Sequence, residues 1–354
     1  MSRLIRPTTT ADMHLPWVDY STLTAVNMCP RWGIINSYIG KKFKEPGRAM
    51  ALEAGSAMHD MFAAVRMFEL CELCEYRSQG GPVPEFIYKH GQHLFNNEQY
   101  PTRWEEMMQI FDESDDYNTR MMRFALYALE TSGFMDDPND RKRTQTNLET
   151  CTISYVDRYP KRRYIPMCDE SIGFVGVEIG VDVVLPTEPP VRFVGKVDGV
   201  CHDLLADNRL EVHENKTGAR IDSSWAAGFQ VGAQPTGYNA ALSAMLGVPI
   251  VRSVIWGTQV PIPKTSMYSD GQARIPAVRD AEQFDDWITW VQYTWDVIRR
   301  YESDPASAVM HTHSCNRYFS TCPLLPLCSD TLEQRRHVIE HEMITHRWSP
   351  LTEE

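Results

Sequence analysis

Two short strand-like runs, Val191 to Cys201 and Arg209 to Lys216, flank a polar turn around Asp203 to Asn208. In a strand, alternate residues share a face. On the second run Leu210, Val212, Glu214 and Lys216 therefore point one way, and Glu211, His213 and Asn215 the other. On the first run Val194, Lys196 and Asp198 share a face, with Asp198 at its far end. As antiparallel neighbours, the two runs would bring Asp198 close to Glu214. Two carboxylates side by side are costly unless a cation lies between them, and Mg²⁺ prefers such hard oxygen ligands. Lys216 would then orient or deprotonate a water aimed at phosphorus, with the metal stabilising the leaving oxygen. The competing reading makes Asp198 a turn residue before Gly199 and Glu214 with Lys216 a surface ion pair.

The remaining pattern sets these runs in a larger frame. Thr152 to Val156, Phe174 to Leu185 and Val251 to Val260 also read as strands, separated by Gly, Pro, Asp and Asn. Tyr20 to Tyr38 reads as a helix with a Ser21 cap, interrupted near Cys29-Pro30, and Ala51 to Leu70 as a stronger one. Trp225 to Leu246 and Ala281 to Tyr301 are helical, the latter carrying Trp287, Trp290 and Trp295 in a stripe that fits a core face or base stacking. Residues 71–150 form a polar, aromatic-rich, helical insertion broken by Pro82, Pro84, Pro101 and Pro138. The order predicts an α/β or α+β fold with a central mixed β-sheet flanked by helices. The expected parts are an N-terminal helical part (1–70), the insertion (71–150), a core of sheet and helices (151–310) and a cysteine-bearing C-terminal segment (311–354).

A chain of 354 residues with 43% apolar and 23% charged residues can bury one large core or two smaller ones. Met1 to Trp17 lacks the apolar stretch of a signal peptide, and no run is long enough to span a bilayer, so a cytoplasmic protein is expected. A net charge of −12 argues against nonspecific coating of nucleic acid, while Arg141-Lys142-Arg143 and Lys161-Arg162-Arg163 offer local basic patches or solvated surface.

Gly195-Lys-Val-Asp198 followed by Glu214-Asn-Lys216-Thr-Gly resembles the catalytic core of the PD-(D/E)XK nuclease superfamily, in its RecB-like branch. That branch carries Gly-x-x-x-His before the sheet, matched by Gly55 to His59, and Gln-x-x-x-Tyr after it, matched by Gln234 to Tyr238. The resemblance implies a restriction-endonuclease-like core, with His59, Asp198 and Glu214 as ligands of Mg²⁺ or Mn²⁺ and Lys216 as the catalytic lysine. Gln234 and Tyr238 would position the DNA strand or the lysine. Pro235 inside this element predicts that the helix begins at Pro235, leaving Gln234 outside, or kinks there.

Nine cysteines in a reducing compartment suggest metal or redox chemistry where they cluster. Cys315, Cys322 and Cys328 fall near the C-terminus and Cys29 precedes a proline, as Cys322 does. From the residues, Zn²⁺, an iron–sulfur cluster and buried structural thiols are all open. The layout is similar to that of AddB-type and CRISPR-adaptation exonucleases, which hold a [4Fe–4S] cluster with one cysteine before the core and three after it. Here six residues separate Cys315 from Cys322, wider than is common there, which keeps Zn²⁺ open, with His311 and His313 as substitutes for Cys315. Cys71 and Cys74 suit helix packing, and Cys151, Cys168 and Cys201 suit solitary buried thiols.

The resemblance implies a metal-dependent DNA exonuclease acting on single strands or DNA ends in recombination, repair or replication, with proteins of those processes as possible partners. Compact members of this kind, without a helicase, are frequent in bacteriophage genomes. The alternatives are a structure-specific endonuclease and a non-catalytic binding module that kept the fold.

Overall fold

The computed structural model describes residues 5–43, 50–73, 81–113, 115–261, 271–317 and 320–351. Helix α1 (Tyr20–Met28) is capped by Asp19, not Ser21: the Asp19 carboxylate accepts from the Thr22 amide at 2.9 Å. Cys29 is extended, and the chain re-enters helical geometry at Pro30, so the expected interruption is present. The long α2 (Met50–Leu73) is followed by α3 (Glu85–Phe95), α4 (Arg103–Phe111), α5 (Tyr117–Glu130) and α6 (Gln145–Arg158). Cys74 lies outside the described residues.

Thr152 to Val156, expected as a strand, belongs to α6. Its β-branched content is misleading, because the buried residues Leu148, Cys151, Thr152, Tyr155 and Val156 recur at helical spacing. Thr144 caps this helix by accepting from the Asn147 amide.

The central sheet contains β1 (Val177–Leu185), β2 (Val191–Asp203), β3 (Arg209–Gly218), β4 (Arg252–Gln259) and β5 (Gln272–Val278), in that spatial order. Pairs β1/β2, β2/β3 and β4/β5 are antiparallel and β3/β4 parallel, so the sheet is mixed as expected. The β2/β3 ladder pairs Gly199 with His213 and Val200 with Val212. Asp207 and Asn208 take positive φ in the connecting turn, which Asp and Asn tolerate better than most residues.

The crossover from β3 to β4 is helical, as a parallel pair requires. It is two helices, α7 (Ser223–Gln230) and α8 (Ala233–Leu246), rather than one. Val231 and Gly232 break the run, so Gln230 and Gln234 do not lie on one continuous helix face. Helix α9 (Ala281–Tyr301) follows β5 and buries Trp287, Val291, Trp295 and Ile298, while Tyr293 faces solvent. Trp290 is half-buried and packs against the same core, so the core reading holds for all three tryptophans.

Each sheet face has its own core. Helix α2 and the helices of the insertion pack with Val177, Cys201, Val254 and Trp256 on one side. Helices α8 and α9 pack with Val181, Phe193, Val197 and Val212 on the other. The strands that carry Asp198, Glu214 and Lys216 therefore sit between two well-buried layers. Cys151 and Cys201 are buried as expected, whereas Cys168 is exposed. Among the described residues, no helix is long and apolar enough to cross a membrane.

Candidate active site

A cleft of about 530 Å³ opens between α2 and α8, beside the start of β1 and the middle of β2 and β3; β2 runs on to Asp203, so Asp198 lies within the strand and not at its far end. His59 from α2, Asp198 from β2, Glu214 and Lys216 from β3, and Gln234 and Tyr238 from α8 all line it. Four elements far apart in sequence thus bring together all six residues named from the motifs.

Local backbone geometry explains how two sheet faces supply one site. Glu178 on β1 has a left-handed backbone, φ +52°. Across it the strand changes sides: Val177 packs in the α2 core and Ile179 in the α8 core. Beside it on β2, Val197 packs in the α8 core while Gly199 backs onto Arg66 of α2. Asp198 stands at this switch. It meets His59 on one side, with Asp198 Oδ1 3.4 Å from His59 Nδ1, and its Oδ2 accepts from the Asn215 amide at 2.5 Å.

The ligand-capable atoms of His59, Glu178 and Asp198 all lie within 4.8 Å of one another. Glu178 is absent from the residues drawn from the motifs. Its signal was an acid near the start of a valine-rich strand, in register with Asp198. Glu214, expected as the third ligand, instead directs Oε1 to Lys216 Nζ at 2.5 Å and to Gln234 Nε2 at 3.0 Å. Its Oε2, like Glu178 Oε1, is buried with no hydrogen-bond partner. Buried carboxylate oxygens are rarely left in that state, and a hard divalent cation is the partner that suits them.

The electrostatics agree. Burial raises the Glu178 and Glu214 carboxyls above the usual range, and the Asp198 charge raises them further. Burial also acts to raise Asp198, but His59, Lys216 and Arg66 outweigh it and hold that carboxyl well below the ordinary value. For His59, burial acts downward; Asp198 and Glu178 overcome it and raise the imidazole to about 9. Lys216 is likewise lowered by burial but raised on balance by Glu214 and Asp198, so it is an ammonium at neutral pH.

Pro235 does not displace Gln234. Helix α8 begins at Ala233 with Gly232 as its cap, placing Gln234 and Pro235 in the first turn. Proline is tolerated there because first-turn N–H groups have no intrahelical partner. Gln234 and Tyr238 are then one turn apart, and Gln234 Nε2 donates to the Tyr238 hydroxyl at 3.3 Å. The Tyr238 ring packs on Gly195, where a Cβ would meet it at 2.9 Å, so the glycine of Gly-Lys-Val-Asp makes room for the tyrosine of Gln-x-x-x-Tyr.

Behind β3 lies the fully buried Arg66. With its amide oxygen turned toward the guanidinium, Asn215 accepts from both terminal nitrogens of Arg66, at 2.8 and 2.5 Å. The middle residue of Glu-Asn-Lys is therefore a structural anchor. The basic runs are partly absorbed in the fold: Arg143 pairs with Asp140 and Arg163 with Asp203, each at 2.7 Å.

Cys29 is buried and its Sγ accepts from the His311 amide at 3.4 Å. The Cys322 amide donates to the Cys315 carbonyl at 2.8 Å. Burial raises the Cys322 thiol, and Cys328, Cys29 and Cys315 raise it further. Among the described residues, these cysteines do not form a group as tight as His59, Glu178 and Asp198.

A model of the PD-(D/E)XK nuclease superfamily matches residues 35–329. No curated protein matches the chain.

Proposed function

The chain belongs to the PD-(D/E)XK nuclease superfamily, and on that footing we propose that it is a divalent-metal-dependent DNA nuclease of the RecB-like kind. The observation that carries this reading is the His59, Glu178 and Asp198 group, with partnerless carboxylate oxygens on Glu178 and Glu214. His59, Glu178 and Asp198 would hold Mg²⁺ or Mn²⁺, with Glu214 turned toward the same space. When bound, the metal supplies Lewis-acid activation of the phosphoryl group and stabilises the leaving oxygen.

The chain's own groups do the rest. Lys216, held as an ammonium, stabilises negative charge on the phosphate and orients the attacking water rather than removing its proton. Glu214, the acid with the raised pKa against Lys216, is the better proton acceptor. Gln234 fixes the Glu214 carboxylate and Tyr238 together. The helical insertion at 71–150, as a lobe on the core at 151–310, would border the substrate path: Leu94 and Phe95 of α3 line the cleft. Exonucleolytic action on single strands or DNA ends, in recombination, repair or replication, is the form of activity we favour, and a bacteriophage-type stand-alone enzyme in the cytoplasm the setting.

The four cysteines, in this reading, hold a [4Fe–4S] cluster that clasps the N-terminal part to the C-terminal segment at 311–354. Tetrahedral zinc on the same thiolates is the alternative. His311 and His313 stack on each other beside Cys29, and His311 Nδ1 lies 3.1 Å from the Met28 carbonyl.

Asp198→Asn and Lys216→Ala should abolish Mn²⁺-dependent DNA degradation while circular dichroism stays unchanged. Full activity in either variant would refute the assignment. A circular single-stranded substrate left intact supports an exonuclease; its cleavage would establish an endonuclease instead.

A further inference from the structure

Two large apolar side chains face water at the rim of the cleft. Leu52 on α2 is 74% exposed and Trp348, near the C-terminus, is 56% exposed, and both line the space that holds His59, Asp198 and Lys216. Trp348 alone among the nine tryptophans is in this state; the others are buried or half-buried.

The segment that presents Trp348 is held in place. Ile344 and Thr345 pair antiparallel with Lys42 and Lys41. The His346 amide donates to the Gly40 carbonyl at 2.7 Å. Arg347 Nη2 donates to the Trp17 carbonyl at 2.7 Å, and its guanidinium lies 3.5 Å from the Trp17 ring centroid and 4.8 Å from that of Tyr38. Gly40 has φ +70°, and a Cβ there would meet Arg347 at 2.6 Å, so the fold keeps this approach open. A chain that fixes Arg347 this firmly and still leaves the next side chain in water is presenting that indole to something.

On the nuclease reading the adjoining cleft takes a nucleic acid, and the component of it that suits an exposed indole is the π-face of a base. Inside a duplex both faces of a base are covered by its neighbours. An unpaired or terminal base has a free face, and an aliphatic side chain such as Leu52 can fill the space beside it. We propose that Trp348, with Leu52, forms a base clamp that stacks on an unpaired nucleotide beside the scissile phosphate and so makes the cleft selective for single strands and frayed ends. This inference rests on the nuclease reading above.

The test is binding in a Lys216→Ala background, where the substrate survives the measurement. Labelled single-stranded oligonucleotide and a covalently closed circular duplex, which has neither an unpaired nor a terminal base, are titrated against the background protein, and against it carrying Trp348→Ala, Trp348→Phe or Leu52→Ala. Losing one base stack should weaken single-strand binding by about tenfold in Trp348→Ala, with less loss in Trp348→Phe and Leu52→Ala. Duplex affinity and Mn²⁺ affinity should not change. No loss, or an equal loss on both substrates, overturns the clamp. Cleavage by the otherwise wild-type enzyme is read separately: its absence on every DNA with Mn²⁺ sinks the nuclease reading, whereas cleavage with an unaltered strand preference in Trp348→Ala sinks the clamp alone.

Discussion

Glu178 stands directly across the ladder from Asp198, between the pairs Val177 with Gly199 and Ile179 with Val197, and does so with a left-handed backbone, φ +52°. That conformation costs a non-glycine residue about 1–2 kcal/mol. It persists where surrounding packing over-determines it, and such positions gather at functional sites. Here the two cores on either side of β1 impose the switch.

Replacing Glu178 with glutamine keeps its shape and removes its charge. Mn²⁺ affinity, measured by isothermal titration calorimetry, should fall at least by the roughly 10–100-fold that losing even an outer-shell partner costs. The apo protein should melt at nearly the same temperature, since the lost pair with Lys196, at 3.2 Å, is half-exposed on the lysine side. Unchanged affinity would remove Glu178 from the ligand set.

Gly199→Ala tests the anchor behind the site. The added Cβ would meet Arg66 Nε at 2.8 Å and Cδ at 3.0 Å, and Arg66 is fully buried with no room to retreat. Overpacking of this kind costs about 1–3 kcal/mol, so chemical denaturation should show a loss of that size. Because Arg66 also holds Asn215, activity should fall more than stability alone accounts for.

Glu69 gives the stability a pH dependence of known sign. It is fully buried, with Oε1 accepting from the Tyr117 hydroxyl and from the Arg162 amide. Burial raises its carboxyl from 4.5 to about 7, despite those two hydrogen bonds. The folded state therefore binds this proton more tightly than the unfolded chain. Its contribution is complete below pH about 4.5 and is lost as pH rises to about 7, to the extent of roughly 3 kcal/mol. Glu69→Gln should remove that slope, so the stability difference between variant and wild type should grow in the variant's favour across this window. A constant difference would mean that Glu69 is ionised in the fold.

The cysteines make a prediction that does not depend on activity. Protein purified without oxygen should be brown and contain iron, and Cys29→Ser or Cys322→Ser should bleach it and lower the melting temperature, because a bound cluster contributes to folding. A colourless protein with stoichiometric zinc would overturn the iron assignment and leave the clasp.

Much of the site was legible before any tertiary structure. The apolar-to-charged face of Leu210, Val212, Glu214 and Lys216 is a local property of one strand, and the β2/β3 pairing follows from a short polar turn. Gly55 to His59 and Gln234 to Tyr238 are likewise local, each set by one helical turn. The misreadings were local as well. Thr152 to Val156 looks like a strand because β-branched residues crowd five positions, yet Thr144 caps a helix and tertiary burial selects the helical face. The proline in α8 looked disruptive only while the helix start was unknown.

Composition, strand alternation and motif order were enough to determine a mixed sheet between helical layers and to name six residues of one cleft, because each of those signals lies within a few residues of chain. Which carboxylate joins His59 and Asp198 was decided by the tertiary structure alone. Glu178 enters the site, and Glu214 turns toward Lys216 and Gln234, because packing on both faces of β1 forces a backbone conformation that alternation cannot foresee. The same holds for Trp348, which is separated from His59 by nearly the whole chain and reaches the cleft only because Arg347 is held against Trp17 and Tyr38.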